Sequence, residues 1–128
     1  MKKGKVTGLA HIGVMVKDID KSIDYYKRLG FSLDKEEAPS IRIAFLSAGN
    51  CLIELVEQKD QPKRDAGVVD HIAMVVDDIA AAIENAKAQG IEIDATQVNE
   101  VPILGGVKNV FFEGLDGERL EFFEYLSK

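Results

Sequence analysis

Tryptophan is absent from this sequence, histidine occurs only twice and cysteine only once. The single cysteine, Cys51, excludes an internal disulfide, and a chain without disulfides is typical of a reducing compartment. The N-terminal residues also lack the apolar stretch of a signal peptide. We therefore expect a cytoplasmic protein.

Long apolar runs and positive charge are also scarce. No run approaches the roughly 20 apolar residues that a membrane-spanning helix needs. The chain has 16 Lys and Arg against 22 Asp and Glu, which gives a net charge of −6. Nucleic acids and anionic membranes bind clustered Lys and Arg, so we expect neither as a partner.

The rest of the composition is that of a soluble globular protein. Hydrophobic residues make up 46% of the chain and charged residues 30%. A length of 128 residues allows one domain with a sizeable core, but not two independent large ones. We predict a single domain over residues 1–128.

The most informative feature is an internal repeat that contains both histidines. The stretches "LAHIGVMVKDID" (9–20) and "VDHIAMVVDDIA" (69–80) each hold one of them, His11 or His71. At an offset of 60, the segments starting at residues 9 and 69 align over 26 positions without a gap, and nine of these pairs are identical. Such a repeat predicts two copies of one structural unit.

The repeat continues further along the chain at a larger offset. "IRIAFLSAGNCLIELVE" (41–57) matches "KNVFFEGLDGERLEFFE" (108–124) at an offset of 67. The aligned pairs include Phe45 with Phe112, Glu54 with Glu121, and Glu57 with Glu124. The second copy therefore has seven extra residues, in or near "TQVNEVPILGG". We predict two modules, at about 5–57 and 68–126, joined by a polar connector at 58–67.

Each copy has the same predicted order of elements, β-α-β-β-β. An apolar strand is followed by a helix, which Asp18 or Asp20 can cap and which ends at Gly30 or, in the second copy, Gly90. "FSLD" and "IEID" are predicted to be short strands, and a hairpin closes each copy. Strands and helices mix within each copy, and hairpins dominate its end. We therefore predict an α+β fold with a mixed, largely antiparallel sheet.

Two glutamates lie in the middle of otherwise apolar strands. Side chains alternate across a strand, so Glu54 shares a face with Leu52 and Val56, and Glu121 shares one with Arg119 and Phe123. A carboxylate in a strand that is covered on both faces is costly unless it is paired or bound to a metal.

The two histidines are predicted to lie within strands, beside small residues. Gly13 and Ala73 share their faces two residues on, which leaves space next to each imidazole. A single histidine in a strand is more often a satisfied core or rim residue, and a single glutamate more often lies at a solvated edge. Here, however, both types occupy equivalent positions in the two copies.

A two-fold arrangement of the copies would place His11, Glu54, His71 and Glu121 on one concave surface. Two imidazole nitrogens and two carboxylates form a mixed nitrogen and oxygen donor set. Such a set suits a divalent cation, which could be Zn²⁺, Ni²⁺, Co²⁺, Mn²⁺ or Fe²⁺. We therefore predict a metal site at these four residues.

Several stretches together resemble the vicinal oxygen chelate superfamily, which includes glyoxalase I, methylmalonyl-CoA epimerase, extradiol dioxygenases and bleomycin-resistance proteins. They are "HIGVMVKDIDKSIDYYKRLGF", "IELVE", "DHIAMVVDDI" and "LDGERLEFFE". The resemblance implies that each module forms half of a cupped barrel around one metal. It also implies a homodimer, with the site built either within one chain or across two.

The resemblance also implies which residues act. His11, Glu54, His71 and Glu121 fall on the four ligand positions of glyoxalase I-like members. Bleomycin-resistance proteins typically lack this set, and extradiol dioxygenases do not need a glutamate at position 54. Glu121 is the first candidate for the carboxylate that moves a proton, and Glu54 is the second.

The implied activity is that of a metal-dependent lyase or isomerase of the glyoxalase I (lactoylglutathione lyase) type. It would transfer a proton on a small carbonyl or thioester substrate, through an enediolate or enolate that the metal stabilises. The alternatives are a methylmalonyl-CoA epimerase-like enzyme and a non-catalytic module that binds a small molecule. Met15 stands where glutathione-using glyoxalases often have Arg, and Gln58 where they commonly have Asn. The missing Arg weakens the case for glutathione, because Met cannot bind a carboxylate.

Overall fold

A computed structural model of the chain describes residues 4, 10–60, 69 and 71–127. Within these ranges the chain forms two α-helices, eight strands and one short 3-10 helix, Ala95–Gln97. The helices are α1 (Ile19–Leu29) and α2 (Ile79–Ala88). The strands are β1 (Ile12–Val16), β2 (Ser32–Glu37), β3 (Ile43–Ala48), β4 (Cys51–Glu57), β5 (Ile72–Val75), β6 (Asn99–Val101), β7 (Val107–Glu113) and β8 (Arg119–Tyr125).

The strands form two sheets with the same topology. Their orders are β1-β4-β3-β2 and β5-β8-β7-β6. In each sheet the first pair is parallel and the other two pairs are antiparallel. The predicted α+β class and the two β-α-β-β-β modules are confirmed, with one mixed sheet for each module.

Both helices begin and end as the sequence predicts. The carboxylate of Asp18 accepts a hydrogen bond from the Lys21 N–H, and Asp78 caps α2 in the same way. Gly30 ends α1 with a φ of 110°, a left-handed conformation that glycine adopts without a steric penalty. Of the two candidate caps for α1, Asp18 is therefore the one used.

The predicted strand "IEID" is wrong, because residues 91–94 form no ladder. Ile91 and Ile93 are buried, so their alternation reflects contact with the core rather than pairing with another strand. Asp94 then caps the short 3-10 helix. The edge of β7 that faces away from β8 pairs instead with β6, which lies further along the chain than residues 91–94.

The predicted alignment of Phe45 with Phe112 is also shifted by one residue. Phe45 pairs with Glu54 across β3 and β4, whereas the residue that pairs with Glu121 across β7 and β8 is Phe111. The offset between the modules is therefore 66 at β7 and 67 at β8. Six of the seven extra residues precede β7, and one lengthens the turn between β7 and β8.

The two modules meet where α1 packs against the turn between β7 and β8. The Lys17 N–H donates a hydrogen bond of 2.7 Å to Asp116 Oδ1. The hydroxyl of Tyr25 donates to the Glu113 carbonyl at 3.2 Å, and the hydroxyl of Tyr26 donates to Glu118 Oε2 at 2.9 Å. Buried apolar residues of both modules, among them Tyr26 and Leu120, belong to one core cluster.

Parts of the predicted boundaries lie outside the described residues. Of the predicted connector, residues 58–60 are described, and the predicted module starts at residues 5 and 68 are not. The two α-helices of the described part have 11 and 10 residues, and neither could cross a membrane.

Candidate metal centre

Each module places one histidine beside one glutamate in the same geometry. His11 Nε2 lies 3.3 Å from Glu54 Oε1, and His71 Nε2 lies 3.2 Å from Glu121 Oε1. The prediction that the histidines lie within strands is wrong, because they come directly before β1 and β5. The glutamates lie within β4 and β8, which are the parallel partners of those strands.

Small residues leave room beside both glutamates. Gly13 lies opposite Glu54 in the register of β1 with β4, and Ala73 lies opposite Glu121 in that of β5 with β8. A Cβ atom at Gly13 would lie 3.8 Å from Glu54 Oε1, an ordinary van der Waals distance. The sequence predicts this space beside the imidazoles, whereas in the structure Gly13 and Ala73 lie opposite the carboxylates.

An aromatic ring supports each imidazole from the third strand of its sheet. His11 meets the ring of Phe45 edge-on, with 6.0 Å between centroids, and His71 meets Phe111 in the same way at 5.3 Å. Sequence reasoning missed this role of the two phenylalanines. The shift of one residue in the alignment of β7 had concealed their equivalence.

The two glutamates differ in their surroundings. The side chain of Glu54 is 21% exposed, whereas that of Glu121 is 4% exposed. Asn109 on β7 donates a hydrogen bond of 2.8 Å from Nδ2 to Glu121 Oε2. The equivalent position on β3 is Ile43, which pairs with Val56 as Asn109 pairs with Phe123. Sequence reasoning missed Asn109, although it is a polar residue within the apolar run "VKNVFF".

Glu57 and Glu124, the other aligned pair of glutamates, bind the starts of the helices. Glu57 Oε2 accepts a hydrogen bond of 3.4 Å from the Ile19 N–H at the start of α1. Glu124 Oε1 accepts one of 2.7 Å from the Ile79 N–H at the start of α2. They point away from Glu54 and Glu121, as strand alternation predicts, and satisfy free N–H groups at the helix ends.

The structure pairs each histidine with the glutamate of its own module. In the described part of one chain, no three residues of the types His, Cys, Asp and Glu lie close enough together to hold a metal ion. Within the same ranges, β1 and β5 each have a hydrogen-bonded neighbour on one side only. One chain therefore presents two separate half-sites.

Each half-site has a spacing that suits a shared cation. Two ligands with metal bonds of about 2.0–2.2 Å, at tetrahedral to octahedral angles, lie roughly 3.0–3.5 Å apart. The observed distances of 3.3 and 3.2 Å fall in this interval. The donor set and its spacing therefore fit a divalent metal.

Burial shifts the pKa values of three residues that lie outside the half-sites. Burial raises the pKa of the Cys51 thiol, which favours its protonated form. Burial also raises the pKa of Tyr25 to about 12 and that of Tyr26 well above its usual value. The hydroxyl of Tyr25 donates to Glu113 at the end of β7, and that of Tyr26 donates to Glu118 in the turn that follows.

Comparison with known proteins gives a family match over most of the chain. The model of the Glyoxalase/Bleomycin resistance protein/Dioxygenase superfamily matches residues 8–122. The uncharacterized protein YwbC of Bacillus subtilis is 33% identical over 121 residues, which cover 89% of this chain and 94% of that protein. Mitochondrial methylmalonyl-CoA epimerase of Homo sapiens is 30% identical over 95 residues, which cover 65% of this chain and 54% of that enzyme.

Solved structures share the fold. The crystal structure of SMU.1112c superimposes with a TM-score of 0.80 at 27% identity, covering 94% of this chain and 100% of that one. The fosfomycin resistance protein FosX of Listeria monocytogenes, solved as a mutant with Mn(II) and 1S,2S-dihydroxypropylphosphonic acid, has a TM-score of 0.73 at 20% identity, covering 95% of this chain and 94% of that one.

Proposed function

Since the chain belongs to the Glyoxalase/Bleomycin resistance protein/Dioxygenase superfamily, we propose that it is a metal-dependent enzyme that transfers a proton at a carbon beside a carbonyl or thioester group. The observation that carries this proposal is the pair of equivalent half-sites, His11 with Glu54 and His71 with Glu121. A histidine and a carboxylate at the same spacing in both modules provide four donors for one cation. The Mn(II) complex of the structurally similar FosX supports a divalent metal in this fold.

We further propose that the four donors meet across a homodimer. The half-sites of one chain are separate, and the open edges of β1 and β5 lie beside them. An open strand edge presents unpaired N–H and C=O groups to a partner strand. Met15 and Val75, on these two strands, are 40% and 68% exposed. A second copy that joins its β5 to β1 would cover both and would complete two sites.

When bound, the metal would supply Lewis-acid stabilisation of the negative charge that develops on the substrate oxygen. His11, Glu54, His71 and Glu121 would hold it. The chain itself supplies the proton acceptor, since either carboxylate can take the proton from carbon and return it. The exposed apolar side chains of Met15 and Val75 would exclude water once the partner covers them.

An acyl thioester is the substrate class that fits best. The chain matches human methylmalonyl-CoA epimerase over 95 residues and spans about half the length of that enzyme. Met15 lies on the same face of β1 as His11, where glutathione-using glyoxalases often carry Arg. A reaction of the glyoxalase I type is the second candidate, because the full set of four candidate ligands is present.

Metal analysis and sedimentation test the site and its assembly. Untagged protein is expected to carry one divalent metal per chain and to sediment as a dimer. His11→Ala and Glu121→Gln are each expected to reduce the metal content. Protein without metal at any stoichiometry would contradict the enzymatic proposal, and a metal-loaded monomer would contradict the shared site.

Solvent deuterium exchange then tests the reaction. Methylmalonyl-CoA is expected to incorporate deuterium faster than a methylglyoxal hemithioacetal is converted. The opposite order would favour the glyoxalase I type. A metal-loaded dimer that acts on neither substrate would favour the non-catalytic binding module.

A further inference from the structure

We infer that Asn109 fixes Glu121 as a stationary metal ligand and so leaves Glu54 as the carboxylate that moves the proton. This inference rests on the proposed metal site and assigns different tasks to its two glutamates. Asn109 would be a positioning residue, since it acts through Glu121. The resemblance to glyoxalase I-like proteins implies the opposite ranking, with Glu121 as the first candidate for the base.

Both carboxylate oxygens of Glu121 are engaged. Oε1 lies 3.2 Å from His71 Nε2, and Oε2 accepts the 2.8 Å hydrogen bond from Asn109 Nδ2. Glu121 is also the one charged side chain that is buried within the described residues. A rotation of this carboxylate would break the hydrogen bond and leave a buried charge without a donor.

The orientation of the Asn109 amide is set by Glu121. An ionised carboxylate only accepts hydrogen bonds, so the NH₂ group must face it. The other end of the amide, Oδ1, is then buried without a protein partner in the described part of the chain. A buried acceptor without a donor is unfavourable, but the opposite orientation of the amide would place this acceptor against the carboxylate of Glu121.

Glu54 has more freedom to move. Its side chain is 21% exposed, and the position that corresponds to Asn109 is Ile43, which has no side-chain donor. Within the described residues, the contact to His11 Nε2 at 3.3 Å is the polar side-chain contact of Glu54. Gly13 lies opposite and leaves open space.

These differences assign the proton transfer to Glu54. Its carboxylate takes the proton from the substrate carbon, and the electron pair of the broken C–H bond stays on the substrate. The resulting carboxylic acid exchanges its proton with solvent, delivers a solvent proton to the carbon and becomes a carboxylate again, which is the exchange that deuterium incorporation measures. Meanwhile Glu121 keeps its place, since both of its oxygens are engaged.

Exchanging the two equivalent residues tests the role of Asn109 without a substrate. Asn109→Ile gives the second module the residue of the first, and Ile43→Asn does the reverse. Co²⁺ serves as the probe, with its visible absorption spectrum and its affinity measured in competition with a chelator. Loss of a residue that orients a ligand typically lowers metal affinity by about 10–100-fold. We expect such a loss in Asn109→Ile, and an affinity within about threefold of the wild type in Ile43→Asn.

Two further variants keep the test decisive. If Asn109→Ile does not fold, as judged by circular dichroism, Asn109→Ser is used, which removes the amide and is smaller. Asn109→Gln retains the donor and is expected to recover part of the affinity. In the deuterium exchange assay, Ile43→Asn is expected to slow exchange at least tenfold, because the new amide would hold Glu54 in place.

The outcomes separate this inference from the proposed function. Wild-type protein that binds no Co²⁺ would overturn the metal site itself. Wild-type protein that binds Co²⁺, together with an unchanged affinity in Asn109→Ile or Asn109→Ser, would overturn only the role of Asn109. Exchange at the wild-type rate in Ile43→Asn would overturn the assignment of proton transfer to Glu54.

Discussion

The hydroxyl of Tyr26 donates a hydrogen bond of 2.9 Å to Glu118 Oε2, across the contact between the two modules. Tyr26 is fully buried and belongs to α1 in the first module, whereas Glu118 lies in the turn between β7 and β8 in the second. The other carboxylate oxygen of Glu118 accepts from the Asp116 N–H within that turn. One helix of the first module thus orders a turn of the second.

Tyr26→Phe is expected to lower the free energy of unfolding by about 1–3 kcal/mol, because it removes a donor from a partly buried charged acceptor. Urea denaturation measures the change. Tyr25→Phe is the matched control, since its hydroxyl donates to the uncharged carbonyl of Glu113. We expect a smaller loss of unfolding free energy in the control. Equal losses in the two variants would show that the charge of Glu118 does not strengthen the hydrogen bond.

Alkaline pH should destabilise the contact between the modules. Burial raises the pKa of Tyr25 in the folded protein to about 12 from its usual 10.0, so the unfolded chain releases this proton first. The stabilisation from Tyr25 is therefore complete below pH 10 and is lost as the pH rises from about 10 to 12. Denaturation of the wild type and of Tyr25→Phe across this interval should show a shallower loss in the variant. Parallel curves would show that Tyr25 does not contribute.

Replacing Glu124 by Gln is expected to reduce stability by about 0.5–2 kcal/mol, since a carboxylate near a helix N-terminus interacts with the free N–H groups and the helix dipole. The equivalent change, Glu57→Gln, is the comparison within the same chain. Its hydrogen bond to the helix is 3.4 Å long, against 2.7 Å for Glu124, so we expect a smaller loss. A larger loss at Glu57 in urea denaturation would be contrary to this ranking.

The space at Gly13 should tolerate one methyl group but not a large side chain. Gly13→Ala is expected to leave Co²⁺ affinity within about threefold, since its Cβ would meet Glu54 Oε1 at the ordinary distance of 3.8 Å and Ala73 already occupies the equivalent position. Gly13→Leu should reduce the affinity at least tenfold by displacing Glu54. Equal affinities in the two variants would show that this space does not matter for the metal.

The elements that the sequence predicts well are those with a local signal. Asp18 and Gly30 mark the ends of α1 because capping needs only the adjacent backbone. The position of Glu54 beside His11 follows from the repeat and from strand alternation. The metal site itself stays a prediction, because it depends on four donors that the described part of one chain does not bring together.

The errors arise where pairing between strands decides the outcome. The alternation of Ile91 and Ile93 predicts a strand, but burial alone explains it. The shift at Phe111 could not be seen, because an extra residue in a turn leaves the sequence pattern of both neighbouring strands intact. The hydrogen bond from Asn109 to Glu121 runs between residues on different strands, so it depends on that same register.

The lengths of the connections carry a consequence for how such a chain can diversify. The second module is longer by six residues before β7 and by one residue in the turn before β8. None of these residues interrupts the strands that carry the histidines and glutamates or changes which side chains face each other there. After a duplication, one copy of the unit can therefore acquire a new outer loop while both copies keep the same chemical centre.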